Sequence, residues 1–224
     1  MRDHYWKGLW GPPRRGTRTL RPAAAALMRT IWSVREHGSH HVPASGPVIL
    51  ASNHSGLLDG PLLYGMAPRP VHTLVKHEVF RGVLGRALTA LGQIPIDRFR
   101  TDIVAVKNAL AVLEREDVLA IYPEGARGAG DFSVIKPGVA YLALCTGAPV
   151  VPVACLGIRE SGRSTGSLPP PRARLDVVFG RPLRTQPITW PRDRARVRQY
   201  AVALGEQLVN HLRDAVRLTG GRLP

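Results

Sequence analysis

The uncharged stretch Gly138 to Ile158 restricts this chain more than any other segment. It is long enough to cross a bilayer as one helix. Gly147, Pro149 and Pro152 break it, since proline removes a backbone donor and clashes with the preceding helical turn. It therefore reads as a buried helix, Val139 to Thr146, followed by a buried strand, Val150 to Leu156. The rest of the chain alternates in the same way. Strands are expected at 48–51, 71–75, 94–97, 118–122 and 174–179, and helices at 60–66, 102–114 and 191–218. Val83, Leu84, Ala87, Leu88 and Leu91 give a further helical stripe, and Ile103, Val106, Leu110 and Leu113 an inward face. This alternation predicts an α/β fold with a central, mostly parallel sheet flanked by helices.

After the strand ending near Ala51 comes Ser52-Asn53-His54-Ser55-Gly56-Leu57-Leu58-Asp59-Gly60. A carboxylate beside an imidazole fixes its tautomer and raises its basicity, which suits it to take a proton from a hydroxyl. On one continuous helix His54 and Asp59 would point roughly 140° apart, so they meet only if the chain bends between them. Gly56 permits that bend. The plain alternative is a capping histidine and an N-cap aspartate without chemistry. His54, Lys76, Arg98 and Glu124 all fall just after expected strands, the edge where open α/β sheets bind ligands.

Four segments together carry a family likeness. Asn53-His54-Ser55-Gly56-Leu57-Leu58-Asp59 resembles the N-H-x4-D signature of the glycerolipid acyltransferases, which include the bacterial 1-acylglycerol-3-phosphate acyltransferases. Gly92 to Arg98, Tyr122-Pro123-Glu124-Gly125-Ala126-Arg127 and Val151-Pro152-Val153 resemble the family's second, third and fourth blocks, in the family's order. With Lys76-His77-Glu78-Val79-Phe80 and Lys136-Pro137-Gly138 the likeness spans about residues 37 to 157. It implies a glycerol-3-phosphate acyltransferase-like fold, a His54–Asp59 dyad, and direct attack by the acceptor without a covalent intermediate. No G-x-S-x-G surrounds Ser52 or Ser55. Arg98 and Arg127 are the expected phosphate grip, with Lys76 and Lys136 as added charges. Asn53, Glu124 and Gly125 complete the expected substrate-binding set. Glu124 would hold the arginines or accept a bond from a substrate hydroxyl, and Gly125 would allow close backbone approach. Backbone N–H groups from Ser55 to Gly60 are candidates for oxyanion or phosphate charge. Ala126 departs from the usual threonine and removes one hydroxyl contact; Pro95 replaces a frequent aromatic. Gly128-Ala129-Gly130 is expected to form a mobile loop over the site.

The chain of 224 residues carries 31 Lys+Arg against 16 Asp+Glu, a net charge of +15, which favours anionic partners. Aromatic residues make up 6%, and neither an RNA-binding signature nor a recognition-helix pattern is visible, so nucleic acid is not expected as a partner. Cys145 and Cys155 lack metal-ligand spacing and read as reduced core residues; no metal or cofactor is expected. Residues 1–36 are expected as a separate basic and aromatic segment with an amphipathic helix from Pro22, and 37–224 as the acyltransferase domain. In the first of these, Tyr5, Trp6 and Trp10 among Lys7, Arg14, Arg15 and Arg18 suit an interfacial anchor, and Leu27, Ile31 and Val34 recur at helical spacing. No secretory signal or membrane-spanning helix is visible, so the expected location is peripheral (monotopic), on the cytoplasmic face of the cell membrane.

The resemblance implies transfer of a fatty acyl group from acyl-CoA or acyl carrier protein, as co-substrate, to a lysophospholipid, foremost 1-acylglycerol-3-phosphate. Glycerol-3-phosphate or another lysolipid is the alternative acceptor. A non-catalytic basic lipid- or nucleic-acid-binding protein and a thioesterase are readings of other classes.

Overall fold

The computed structural model describes residues 11–189 and 193–224. The interfacial aromatic segment expected before Gly11, and the expected helix start at Pro191, lie outside the described residues. Seven strands form one sheet: β1 (Ser33–His37), β2 (Val48–Ser52), β3 (Val71–Lys76), β4 (Ile94–Ile96), β5 (Val118–Ile121), β6 (Val150–Leu156) and β7 (Arg174–Phe179), in the order β1-β7-β6-β2-β5-β3-β4. Every neighbouring pair is parallel except β6–β7. The expected α/β class, with a mostly parallel sheet, is the observed one.

Side-chain alternation along the strands divides the core between the two faces of the sheet. Val48 and Leu50 of β2, with Val118 and Ala120 of β5, meet Met28, Trp32, Leu62 and Leu63. Those partners come from α2 (Arg21–Ile31), the turn after it and α3 (Asp59–Met66). Ile49, Ala51, Leu119 and Ile121 face the other way, onto Leu110 and Leu113 of α5 (Ile103–Glu114), Leu142 of α6 (Gly138–Thr146), and Leu204 and Leu208 of α7 (Arg194–Thr219). The uncharged stretch 138–158 is α6 and β6, and every residue of β6 is buried. Each fully buried leucine or isoleucine contributes about 1.5–3 kcal/mol relative to exposure, so this two-faced core is the main source of stability. Among the described residues, no helix is long and apolar enough to cross a membrane.

The structure bears on three sequence expectations. The boundary at residues 36 and 37 falls inside β1, which pairs with β7 and belongs to the sheet. The N-terminal amphipathic helix is realised as α2, preceded by the short α1 (Arg15–Thr19); it buries Met28 in the core while Leu27 stays 60% exposed. Ile103 does not point inward, and α4 (Gly82–Ala90) leaves Val83 and Leu84 on the surface. A period of 3.6 identifies an apolar face but not what that face meets.

Candidate active site

The parallel pairing of β2, β5, β3 and β4 sets out the candidate residues in spatial order. His54, Glu124, Lys76 and Arg98 follow or end these four neighbouring strands, whose axes are about 4.8 Å apart. They share the C-terminal edge of the sheet.

His54 sits in a tight loop between β2 and α3. Its Nδ1 is 2.8 Å from Asp59 Oδ2. The same oxygen accepts the backbone N–H groups of Ser55 (2.7 Å) and Gly56 (2.8 Å). Asp59 has no solvent exposure and opens α3, where the helix dipole favours a negative charge. An ionised carboxylate only accepts, so Nδ1 carries the imidazole proton and Nε2 keeps the basic lone pair. Tyr122 stacks on the imidazole, with ring centroids 4.0 Å apart and planes 18° from parallel. Burial, then the Asp59 charge, pushes the Tyr122 hydroxyl up, so it stays protonated. The ring is thus held along one edge and across one face.

The loop is also saturated from behind. Asn53, expected to bind substrate, is fully buried and instead joins β2 to β6 and the 130 loop. Its amide nitrogen donates to the carbonyls of Gly130 (3.2 Å) and Cys155 (3.1 Å), and its oxygen accepts from Cys155 N–H (2.7 Å). No donor of that amide is left for a ligand. Glu124 accepts the His54 N–H at 2.9 Å and forms no ion pair among the described residues, which corrects the arginine-holding role. Burial, with the charges of Asp131 and Asp59, raises its carboxyl to about 7 against the pull of the His54 and Gly130 N–H bonds. The amides of Ser55 and Gly56 serve Asp59, so these two members of the expected oxyanion group are already engaged.

The expected mobile loop is tied down. Gly128 N–H donates to the His54 carbonyl at 2.9 Å. Gly130 has φ +67°, and a Cβ there would lie 2.9 Å from the Ser55 Cβ, so the backbone packs directly beneath the histidine loop. Gly125 (φ +71°) is closely approached by the Lys136 side chain, whose Cε would be 2.6 Å from an added Cβ.

In front of His54 lies an open cleft of about 1820 Å³. Lys76, Arg98, Gly125, Arg127 and Lys136 line it with His54 and Tyr122. Arg98 donates to the Gly125 carbonyl (3.2 Å) and lies over the Phe99 ring; its Nε is buried without a partner among the described residues. Arg127 donates to the Thr165 carbonyl (3.1 Å). The remaining walls are mostly apolar, with Leu58, Leu88, Ile96, Val106 and Leu142 among them. Cys155 is buried among apolar side chains, and burial pushes its thiol up, which removes it as a nucleophile.

The sequence reading did not single out Tyr122 for its ring, although it stands in the third block, nor Arg159. Arg159 donates to the carbonyls of Ser55, Gly128 and Arg163. An arginine in a polar loop carries no sequence signal for such bonds.

Fold and site together place a histidine, oriented by a buried carboxylate, at an amphipathic cleft, an arrangement chemically able to take a proton from a bound hydroxyl. The acyltransferase family model matches residues 33–156, more than half the chain. The 1-acyl-sn-glycerol-3-phosphate acyltransferase of Bacillus subtilis is 25% identical over 188 residues, covering 83% of this chain and 92% of that protein. The alpha form of the enzyme from Ovis aries is 37% identical over 127 residues, 54% of this chain and 44% of that protein. The crystal structure of the 1-acyl-sn-glycerophosphate acyltransferase PlsC from Thermotoga maritima shares the fold, with a TM-score of 0.62 and 21% identity over 88% of this chain and 78% of that one. The chain therefore belongs to the acyltransferase family and is an O-acyltransferase.

Proposed function

We propose that this protein transfers a fatty acyl group from an acyl thioester, carried by coenzyme A or acyl carrier protein, to the hydroxyl of 1-acyl-sn-glycerol-3-phosphate, giving phosphatidic acid. The observation that carries this reading is the His54–Asp59 pair facing a large apolar cleft that also holds Arg98, Arg127, Lys76 and Lys136. Apolar walls suit acyl chains, and guanidinium forks suit a phosphomonoester. The names of the relatives agree with that acceptor.

His54 Nε2 takes the acceptor hydroxyl proton as the oxygen attacks the thioester carbonyl carbon. The tetrahedral intermediate collapses by breaking the carbon–sulfur bond. The imidazolium returns its proton to the departing sulfur, leaving an ester and a free thiol. Asp59 stabilises the imidazolium between these steps. No side-chain nucleophile is needed.

The enzyme acts from the cytoplasmic face of the membrane as a peripheral protein. Leu57, Leu84, Phe99 and Ile103 line the cleft yet are 46%, 58%, 84% and 63% exposed. Arg100 and Lys107 line it as well, a mixture suited to anionic headgroups over acyl chains. Co-sedimentation with phosphatidylglycerol vesicles, absent with phosphatidylcholine alone, is the expected result; equal binding to both removes the electrostatic part of this reading.

Thiol release from palmitoyl-coenzyme A, measured with and without 1-acylglycerol-3-phosphate, tests the function. Release is expected to require the acceptor and to fall about 10³-fold in His54→Ala. Acceptor-independent release would make the protein a thioesterase, and acceptor-dependent release retained by the variant would displace His54 as the base. Substituting glycerol-3-phosphate in the same assay separates the two acceptor classes.

A further inference from the structure

Arg159 follows β6, the neighbour of β2 on the side away from β5, so it approaches the His54 loop from the flank opposite Glu124. Among the described residues its guanidinium donates only to backbone carbonyls: Nε to Ser55 (2.8 Å), Nη2 to Gly128 (2.8 Å) and Nη1 to Arg163 (2.7 Å). The neighbouring carboxylate, Glu160, pairs with Arg163 instead, so Arg159 is not held there by an ion pair.

Two of these carbonyls bear on His54. The Ser55 carbonyl and the Gly56 N–H are opposite ends of one planar peptide unit, so anchoring the first fixes the direction of the second. That N–H donates to Asp59 Oδ2 at 2.8 Å, and the same oxygen faces His54 Nδ1 at 2.8 Å. One continuous path of hydrogen bonds thus runs from the guanidinium through the 55–56 peptide and Asp59 to the imidazole. A cation on the carbonyl oxygen polarises the peptide and strengthens the N–H as a donor to the carboxylate. The second carbonyl, of Gly128, belongs to the residue whose own N–H holds the His54 carbonyl.

We propose that Arg159 is a positioning residue for acyl transfer, setting the His54 imidazole through the Ser55–Gly56 peptide and Asp59 while tying the histidine loop to Gly128. This rests on His54 acting as the base. A lysine reproduces the charge but not the planar fork that reaches three separated carbonyls.

The test compares wild type, Arg159→Ala and Arg159→Lys, using palmitoyl-coenzyme A and 1-acylglycerol-3-phosphate for steady-state kinetics. Amide hydrogen exchange is followed at Ser55 and Gly56 and across the sheet. Arg159→Ala is expected to lower kcat about 10- to 100-fold, the scale of a misplaced catalytic group, with acceptor KM changed by less than about twofold. Exchange at Ser55 and Gly56 is expected to accelerate while sheet protection holds, and Arg159→Lys to regain only part of kcat. A raised KM with kcat intact would make Arg159 a substrate ligand and overturn the proposal. Unchanged exchange at Ser55 and Gly56, or full activity in Arg159→Ala, would overturn it too. Loss of protection throughout the sheet in both variants would mark a general scaffold role, again overturning it. If wild type transfers no acyl group, the functional reading fails separately, and exchange at Ser55 and Gly56 still decides whether Arg159 holds the loop.

Discussion

The two walls that meet at the C-terminal edge of the sheet are built on opposite principles. In the loop after β2, the Asn53 amide, the His54 imidazole and N–H, and the Ser55 and Gly56 amides all have protein partners. Across the cleft, Arg98 and Arg127 each bond a single backbone carbonyl, and neither they nor Lys76 or Lys136 form an ion pair among the described residues. A group that moves a proton works best when it need not reorganise as charge develops. A cation that grips a ligand works best when no protein carboxylate already occupies it. The difference predicts that damage to the first wall appears in kcat and damage to the second in KM.

The sharpest way to break this contrast is Asp59→Asn. Removing the charge that orients and stabilises the imidazole is expected to lower kcat about 100-fold with acceptor KM nearly unchanged. Steady-state kinetics that put the loss in KM instead would merge the two walls. A smaller effect is expected on the other side. Arg98→Ala or Arg127→Ala should raise acceptor KM about tenfold, the worth of one charge-assisted hydrogen bond, and leave kcat within about threefold. Full activity on a phosphorylated acceptor in both variants would remove them from the phosphate grip.

The smallest effect concerns stability and sharpens the role of Glu124, which backs the first wall. Its carboxyl stands at about 7 in the folded protein against an ordinary 4.5. Between these values the folded chain keeps a proton that the unfolded chain has released. Stability therefore falls as pH rises through this window, and the loss is complete above pH 7. The carboxyl is partly exposed, so screening limits the effect to about 1 kcal/mol. Urea unfolding at pH 5 and pH 8 should show wild type losing that amount relative to Glu124→Gln. Parallel pH dependence in the two proteins would place the burdened proton elsewhere.

Much of this organisation was legible in the residues. The break of an uncharged run at Gly147 and Pro149 separates α6 from β6 because glycine and proline act through the local backbone, whereas Pro152 lies within β6, opposite Ala51. The His54–Asp59 pairing follows from spacing, which demands a bend; Gly56 does not use glycine's left-handed freedom there, and its missing Cβ instead makes room for Ile158, whose Cγ2 would lie 2.8 Å from a Cβ. Asn53 was misread because its motif position says that it matters, not which way its amide points; only the packing of β2 against β6 turns it toward Cys155. Gly128 and Gly130 read as loose because glycine permits motion, yet the same missing Cβ lets the backbone lie against Ser55. Ile103 and Leu84 have core periodicity but border an open cleft.

By itself, the sequence determined the α/β alternation, the bent His54–Asp59 pair and the positions of the cations, since each depends on neighbours within a few residues or on a turn that local chemistry imposes. The tertiary structure decided the rest: the order His54–Glu124–Lys76–Arg98 along one edge, the Tyr122 stack, the buried environment that lifts Glu124, and the reach of Arg159 across to Ser55. Those features arise between residues far apart in the chain, up to 104 positions for Arg159 and Ser55, but adjacent in space, and only strand pairing sets which of them meet.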